Sequence, residues 1–189
     1  MRLVVVGCSG SGKTTMARAL AKACDLTHVE LDGLNWTAGW RDLAIQEPET
    51  FRARVAEAAA GERWVMDGNY TKARDIHWTR ATAIIWMDTP RRRVMPQVIW
   101  RSFIRALGKR ELWAGTGNRE EFRRWLDPEH PIRWAWDTHR TIRERYADWF
   151  ADGCWEGRPV HRVRTRREGR RLVQQLAADA TPSRFAGAA

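Results

Sequence analysis

A glycine-rich loop near the start of the chain constrains its fold more than any other feature. The run Gly7-Cys8-Ser9-Gly10-Ser11-Gly12-Lys13-Thr14 follows the apolar segment 3–6 and leads into residues of helical type from Thr15 onward. A short apolar, β-branched segment is typical of a buried parallel strand. Glycines let backbone N–H groups converge on a phosphate, and the dipole of the following helix adds positive potential. The order of strand, glycine loop and helix therefore predicts a binding site for a nucleoside triphosphate.

Two residues at the end of this loop have distinct expected roles. Lys13 would reach the β- and γ-phosphates of ATP, and the Thr14 hydroxyl would bind Mg²⁺. The alternative is a chance match in a Gly/Ser-rich turn, against which the strand and helix on either side argue. The expected nucleotide contacts are Gly7, Cys8, Ser9, Gly10, Ser11, Gly12, Lys13, Thr14 and Thr15.

The composition indicates a globular chain with one core. At 189 residues and 43% hydrophobic content, the chain suits one domain, and it has no apolar run of the ~20 residues that a membrane span needs. Three cysteines without metal-ligand spacing predict a reducing compartment, so we expect a cytoplasmic protein. The net charge is +10, and all but four of the 33 basic residues are arginine. Because a G+C-rich genome also raises arginine content, this charge alone does not indicate a nucleic-acid partner.

Apolar runs alternate with helical stretches, which predicts an α/β fold. We expect a three-layer α/β/α P-loop NTPase fold, with a five-stranded parallel sheet and a helical lid inserted at about residues 108–131. Residues 1–178 would form one domain and residues 179–189 a disordered tail. The predicted strands are 2–6, 27–31, 63–66, 83–87 and 160–164. The predicted helices are 13–23, 48–60, 91–107 with a start or kink at Pro96, 132–150 and 167–178.

Three predicted strands end in aspartate, at Asp32, Asp67 and Asp88. Because ligands bind beyond the carboxyl ends of parallel strands, we expect these carboxylates to converge on the glycine loop. Asp67 is the candidate for holding Mg²⁺ or its water, together with Thr14. Asp32 is the candidate for orienting or deprotonating an acceptor hydroxyl, and a helix-capping role is its alternative.

Arginines flank the predicted lid on two helices. Arg101 and Arg105 stand four residues apart on one helix face before the lid, and Arg140 lies on the helix after it. Closure of the lid would bring these side chains to the transferred phosphoryl group. A solvated basic face is the alternative, and it is a serious one in a chain so rich in arginine.

Several motifs together resemble one group of P-loop kinases. Beyond the glycine loop, they are Leu31-Asp32-x-Leu34-x-Trp36-x-x-x-Trp40, Trp64-Val65-Met66-Asp67-Gly68-Asn69-Tyr70 and Ile84-Ile85-Trp86-Met87-Asp88-x-Pro90. From residue 1 to about residue 178, the chain is similar to the adenylate-kinase-like family often described as DNA topology modulation proteins. That description refers to a genetic effect and establishes no reaction.

The resemblance implies further contacts to the nucleotide. Arg101 would lie near the adenine and Arg105 near the phosphates. Arg164 and Arg166 would lie beside the base. The similar small kinases for shikimate and gluconate place an aspartate against the acceptor hydroxyl, and Asp32 matches that position.

The resemblance to adenylate kinases proper is weaker. They have Phe-Pro-Arg after an Asp-Gly pair, where this chain has Asn69-Tyr70 after Asp67-Gly68. The arginine of that element binds the phosphate of the acceptor nucleotide, so its absence puts AMP in doubt as the acceptor.

The expected function is transfer of the γ-phosphoryl group of ATP, with Mg²⁺, to a hydroxyl or phosphate of a small molecule or nucleotide. Trp36, Trp40 and Tyr70 would line the acceptor pocket, where flat rings stack on a base or sugar; core packing is the alternative. The competing hypothesis is a nucleic-acid-associated NTP-binding regulator or a polynucleotide kinase. The charge of +10 supports it, but no recognised nucleic-acid-binding fold does. The sequence specifies neither the acceptor nor the oligomeric state.

Overall fold

The computed structural model describes residues 1–127 and 130–180. Their strands are β1 (Arg2–Gly7), β2 (Thr27–Glu30), β3 (Trp36–Thr37), β4 (Arg41–Asp42), β5 (Trp64–Asp67), β6 (Ala83–Met87), β7 (Cys154–Trp155) and β8 (Arg158–Val163). Their α-helices are α1 (Lys13–Cys24), α2 (Leu31–Asn35), α3 (Leu43–Gln46), α4 (Pro48–Ala59), α5 (Arg74–His77), α6 (Arg91–Gly108), α7 (Pro131–Trp149) and α8 (Arg166–Ala180).

Five parallel strands form the centre of the molecule in the order β2-β5-β1-β6-β8. The predicted α/β fold and its five-stranded parallel sheet are confirmed. The short strand β7 pairs antiparallel with β8 at one edge and adds a strand that the sequence did not predict. Because β1 lies between β5 and β6, the glycine loop leaves the sheet at the middle of its carboxyl edge.

Helices cover both faces of the sheet, because the central strand β1 has apolar side chains on both of its faces. Alternate residues of a strand point to opposite faces. Val4 and Val6 therefore belong to the core beneath α4 and the aromatic residues of α7, whereas Leu3 and Val5 pack with α1 and α8. All four side chains are at most 1% exposed. Burial on both sides is what makes the central strand of this class a continuous apolar run.

Pro96 lies inside helix α6. The sequence predicted a start or kink at this residue, and the helix starts earlier, since it is continuous over Arg91–Gly108. Proline at this position removes the hydrogen bond to the carbonyl four residues earlier, at Arg92, and its ring crowds that carbonyl. The buried side chains of Val94 and Val98 on either side hold the helix in place.

The segment between α6 and α7 packs against a small hairpin. We call its described part, residues 109–127, the lid segment. It contains a short 3₁₀ helix, Phe122–Arg124, where the sequence predicted a helical lid. The Asn118 side chain joins the segment to the β3–β4 hairpin, since its Nδ2 donates to the Thr37 carbonyl at 2.8 Å and its Oδ1 accepts from the Trp40 N–H at 3.0 Å. The lid segment is therefore docked on this hairpin.

Helix α8 extends to Ala180, two residues beyond the predicted end of the domain. The rest of the predicted tail, residues 181–189, lies outside the described residues. Within residues 1–127 and 130–180, no helix is both long and apolar enough to cross a membrane.

Candidate active site

The glycine loop between β1 and α1 uses backbone conformations that favour glycine. Gly10 and Gly12 have φ angles of 78° and 98°, in the left-handed region. At Gly7, where φ is 143°, a Cβ atom would lie 2.6 Å from the Met87 carbonyl oxygen, so no side chain fits there. The loop can therefore bring its backbone N–H groups close to a ligand at the start of α1. This cradle fits a triphosphate.

Lys13 begins α1 and lies half-buried beside two carboxylates. Its Nζ donates to the Cys8 carbonyl oxygen at 3.2 Å. Burial lowers the pKa of Lys13, while the charges of Asp32 and Asp67 act to raise it. All three side chains line the same cavity. The structure therefore brings the predicted phosphate-binding lysine next to both predicted carboxylates.

Asp67 ends β5 and has the properties of a cation ligand. Its side chain is 2% exposed, and neither carboxylate oxygen has a hydrogen-bond partner among the described residues. The nearest basic group, His28 Nε2, lies 3.6 Å from Oδ1, too far for a hydrogen bond. A buried polar group without a hydrogen-bond partner calls for a water molecule or an ion. Thr14 lines the same cavity and can supply a hydroxyl oxygen.

The donor set fits Mg²⁺ bound together with a nucleotide. In the part of the chain that the structure describes, no group of three His, Cys, Asp or Glu side chains could hold a metal by itself. Mg²⁺ commonly uses one or two carboxylates and takes its remaining ligands from phosphates and water. Asp67 and Thr14 would therefore hold Mg²⁺ only as part of a nucleotide complex.

Asp32 is the second residue of α2 and lies beside Tyr70 in the cavity. The Tyr70 hydroxyl donates to Asp32 Oδ1 at 2.8 Å. Burial and the Asp32 charge raise the pKa of Tyr70 well above its ordinary value, so the phenol stays protonated. The N-cap of α2 is Glu30, so Asp32 does not fill the capping role. Its Oδ2 has no hydrogen bond from the described residues.

Arg101 and Arg105 line the cavity from α6. Arg101 Nη2 donates to Ser9 Oγ in the glycine loop at 3.3 Å. Burial and the charge of Arg105 lower the pKa of Arg101. Arg105 Nη1 lies 3.9 Å from Oε2 of Glu120 in the lid segment. Two neighbouring guanidinium groups beside the loop create a positive potential that suits a polyanion.

Aromatic side chains form the apolar lining of this cavity, whose volume is about 410 Å³. Trp40 packs edge-on against Trp36 and Trp113, with ring centroids 5.8 and 6.1 Å apart. Tyr70 and Trp134 complete the aromatic lining. The three predicted acceptor residues, Trp36, Trp40 and Tyr70, therefore lie in one cavity with the glycine loop.

Arg140 does not lie at the cavity. Its side chain is 87% exposed on α7, and its Nε donates to Glu144 at 2.8 Å. The side of α7 that carries Ala135, His139 and Tyr146 is buried instead. Arg140 thus belongs to a solvated face, as the alternative interpretation of the sequence had it.

Asp88 lies in a separate arginine cluster rather than at the glycine-loop cavity. Its carboxylate is 2.7 Å from both Arg143 and Arg162 and 3.5 Å from Arg164. Burial acts to raise the pKa of Asp88, but hydrogen bonds from Arg143 and Arg162 lower it below its ordinary value. The strand order explains the separation, since β6 lies on the β8 side of β1 and the other two aspartates follow β2 and β5. Neither Arg164 nor Arg166 lines the cavity.

Asn69 is a site residue whose role the sequence did not predict. Its Nδ2 donates to the Gly7 carbonyl at 2.7 Å, and its Oδ1 accepts from the Gly7 N–H at 3.2 Å. The Tyr146 hydroxyl also donates to Oδ1, at 3.1 Å. One side chain thus joins the start of the glycine loop to α7. Asn69 lies within a motif that the sequence shows, but a hydrogen-bond partner 62 residues away cannot be read from local sequence.

The lid segment and the start of α7 supply further cavity residues that the sequence did not predict. Trp113, Glu120 and His130 all line the cavity. His130 Nε2 lies 3.2 Å from Glu120 Oε1, and both side chains are buried. The polar, turn-rich composition of this segment gave no sign that these groups would be covered.

A family profile and several solved structures resemble this chain. The profile of the "ATPase family associated with various cellular activities (AAA)" matches residues 3–88. The match spans β1 to the end of β6 and includes the glycine loop, Asp32 and Asp67. No curated protein sequence matches the chain significantly.

Solved kinase structures have a similar fold over nearly the whole chain. A shikimate kinase from Acinetobacter baumannii in complex with shikimate has a TM-score of 0.52 at 18% identity, over 93% of this chain and 89% of that chain. A gluconokinase from Sinorhizobium meliloti 1021 has a TM-score of 0.52 at 18% identity, over 94% of each chain. A shikimate kinase from Bacteroides thetaiotaomicron has a TM-score of 0.55 at 16% identity, over 94% of this chain and 97% of that chain. The protein therefore has the P-loop kinase fold, as predicted.

Proposed function

We propose that the protein is an ATP- and Mg²⁺-dependent kinase that phosphorylates a hydroxyl group of a small molecule. One observation carries the proposal: the cavity that contains Lys13 and the glycine loop also contains Asp32, whose Oδ2 has no partner among the described residues. Transfer to a hydroxyl needs a phosphate site and a group that orients the attacking oxygen and takes its proton. The fold shared with the shikimate kinase and gluconokinase structures supports this class of reaction.

Different residues of the cavity have different roles in this reaction. ATP with Mg²⁺ supplies the phosphoryl group when bound, and the loop amides, Lys13, Thr14 and Asp67 would hold it. Asp32 orients the acceptor hydroxyl and takes its proton as the oxygen attacks. Tyr70 fixes Asp32 through the 2.8 Å hydrogen bond to Oδ1 and leaves Oδ2 for the acceptor.

Two arginines and the lid segment supply the remaining functions. Arg101 and Arg105 would neutralise charge on the transferred group. The lid segment lines the cavity with Trp113 and Glu120, and covering the site limits water and favours transfer over hydrolysis. Since Arg105 lies 3.9 Å from Glu120, a bound triphosphate would compete with this carboxylate for the guanidinium group.

The competing hypothesis gains no support from the comparisons. A nucleic-acid-associated regulator or a polynucleotide kinase needs a positively charged groove that follows a phosphate backbone, whereas the four cationic side chains that the described residues bring to this cavity lie among indoles and carboxylates. The narrower resemblance to DNA topology modulation proteins remains a prediction and names no reaction. The cytoplasmic location also remains a prediction.

An ATP-consumption screen tests the proposal. The protein is incubated with ATP, Mg²⁺ and a panel of sugars, polyols, hydroxylated amines, small acids, nucleosides, nucleotides and 5′-hydroxyl oligonucleotides. We expect ADP formation that depends on a small hydroxylated acceptor. Lys13→Ala should lower turnover by ~10²-fold or more because the loop loses its phosphate-binding cation.

Lys22→Ala is the matched control, because Lys22 lies exposed on the same helix and should keep full turnover. ADP formation with oligonucleotides alone contradicts the proposal. Equal turnover in Lys13→Ala and the unaltered protein contradicts it as well.

A further inference from the structure

The cationic side chains of the cavity are all engaged. Within the described residues, these are Lys13, Arg101, Arg105 and Arg124. Lys13 and Arg101 contact the glycine loop, where a triphosphate would occupy them. Arg105 and Arg124 lie 3.9 and 3.2 Å from carboxylates of the lid segment. An acidic acceptor would therefore find no unengaged cation among them.

Two carboxylates of the cavity, Asp32 and Asp42, make no salt bridge within residues 1–127 and 130–180, although the charge of Asp32 also acts on Lys13. Asp32 accepts the Tyr70 hydroxyl through Oδ1. Asp42 accepts the Ile45 N–H through Oδ1 at 3.0 Å and caps α3. Both carboxylates act on the same phenol, since burial and then the charges of Asp32 and Asp42 raise the pKa of Tyr70. Two negative charges that make no salt bridge thus lie near Tyr70 in the cavity.

A third carboxylate points independently to a ligand of positive charge. Asp67 is buried and neither of its oxygens has a hydrogen-bond partner in the described part of the chain. Burial and the charges of Asp67 and Asp32 raise the pKa of Glu30, which lines the same cavity. Mg²⁺ at Asp67 would account for one of these carboxylates. With Lys13 engaged by a triphosphate, neither Asp32 nor Asp42 would have a salt-bridge partner among the described residues.

Indole rings lie next to Asp42. Trp36 is the cross-strand partner of Asp42 in the β3–β4 hairpin, and Trp40 lies between Trp36 and Trp113. The guanidinium carbon of Arg124 lies 4.7 Å from the centroid of the Trp40 ring, so this indole already attracts one cation. Aromatic faces beside carboxylates are the chemistry that recognises an alkylammonium group.

We infer that the acceptor is a small hydroxylated amine. Its hydroxyl would meet Asp32, and its ammonium group would lie near Asp42 and the indoles of Trp36 and Trp40. The inference rests on the proposed function and names the acceptor class for it. During transfer, a bond forms between the acceptor oxygen and the γ-phosphorus, and the bond from that phosphorus to the β,γ-bridging oxygen breaks. ADP leaves, and Asp32 takes the hydroxyl proton.

Two series of probes of equal size separate the charge classes. The first is ethanolamine, ethylene glycol and glycolate, and the second is glucosamine, glucose and glucuronate. ADP formation with ATP and Mg²⁺ is measured for each probe, together with its dissociation constant by calorimetry in the presence of a non-hydrolysable ATP analogue. We expect the amine of at least one series to be phosphorylated and to bind about tenfold or more tightly than its neutral counterpart.

Three results would overturn the inference. In the first, the neutral or acidic member is the better substrate, which leaves the kinase proposal intact and rejects the amine. In the second, the three charge classes bind equally, which rejects charge recognition. In the third, neither series gives binding or turnover while another class in the wider screen does, which again rejects the amine alone. Failure of every acceptor in the wider screen contradicts the proposed function itself.

Asp42→Asn tests where the ammonium group lies. Asparagine is as good an N-cap as aspartate, so α3 keeps its cap while the negative charge is lost. We expect KM for the amine to rise about tenfold and KM for ATP to stay unchanged. Asp152→Asn, at an exposed position, is the matched control and should change neither. An unchanged KM for the amine in Asp42→Asn would overturn the placement.

Discussion

At the residue scale, the Asn69 side chain forms hydrogen bonds to Gly7 just beyond the point where β5 stops pairing with β1. Strand β5 pairs with β1 up to Asp67 opposite Val5 and then ends. Two residues later, the amide group of Asn69 bonds both the N–H and the C=O of Gly7. A side-chain amide can do this because it carries a donor and an acceptor side by side. The two peptide groups on either side of the Gly7 Cα atom are thereby held in a fixed orientation.

Asn69→Ala should weaken ATP binding through the loop. The variant loses two hydrogen bonds to Gly7, each worth about 1 kcal/mol, so we expect ATP with Mg²⁺ to bind about tenfold or more weakly, as measured by calorimetry. Tyr146→Phe is the matched control, because it removes one bond to Asn69 and leaves both bonds to Gly7 intact. Its affinity should change much less. Asn69→Ala that binds ATP as tightly as the unaltered protein would rule out this role.

At the element scale, the sequence predicted the long elements well and the short ones poorly. The strand predicted at 83–87 coincides with β6 because its apolar residues are buried on both faces of the sheet. The β3–β4 hairpin has strands of two residues, too short for any periodicity, and its turn depends on Gly39 with φ of 73°. Elements that follow a local pattern could be predicted, whereas those held by distant contacts could not.

The lid segment is held by distant contacts, and substitution of Asn118 tests whether its hydrogen bonds to the hairpin hold the segment in place. Asn118→Ala removes both hydrogen bonds to the hairpin, at about 1 kcal/mol each. We expect amide hydrogen exchange over residues 110–127 to become at least about tenfold faster in the free protein, while the amides of β1 keep their rates.

An ATP analogue with Mg²⁺ should slow exchange of the lid segment in the unaltered protein, because a ligand enclosed by the segment stabilises its docked state. Exchange that is identical in Asn118→Ala and the unaltered protein would mean that these two bonds do not hold the segment. Exchange that is insensitive to the analogue would contradict the role of the segment as a lid.

At the scale of the whole molecule, the strand order decides which predicted groups meet. Asp32 and Asp67 follow the adjacent strands β2 and β5, so both reach the cavity with Lys13. Asp88 follows β6 on the other side of β1 and pairs with arginines instead. The sequence predicted that the strand ends form the site, but the order of the strands in the sheet could not be predicted from it. The strand order explains why Asp32 and Asp67 reach the cavity and Asp88 does not.

The buried His77 makes the stability of the whole molecule depend on pH. Burial lowers its pKa from 6.5 to about 4, and its Nδ1 lies 2.8 Å from the Ala73 carbonyl. Because the folded-state pKa lies below the unfolded value, this contribution is complete above pH 6.5 and is lost as the pH falls towards 4. The shift corresponds to about 3 kcal/mol in total.

His77→Leu should flatten this dependence. Denaturant unfolding at pH 7 and pH 4.5 gives the free energy of unfolding, and we expect its fall between the two values to be smaller by roughly 2 kcal/mol in His77→Leu. The variant also loses the contact to Ala73, so the comparison uses the change with pH and not the absolute stability. An equal fall in both proteins would show that His77 does not control it.

The proposed reaction transfers the γ-phosphoryl group of ATP to a hydroxyl activated by Asp32. ³¹P NMR follows this transfer with the acceptor found in the screen, for the unaltered protein and for Asp32→Asn. We expect a phosphate ester formed in step with ADP, and ester formation at least ~10²-fold slower in Asp32→Asn, which still binds ATP with Mg²⁺. An undiminished rate of ester formation in Asp32→Asn, or inorganic phosphate in place of the ester, would contradict it.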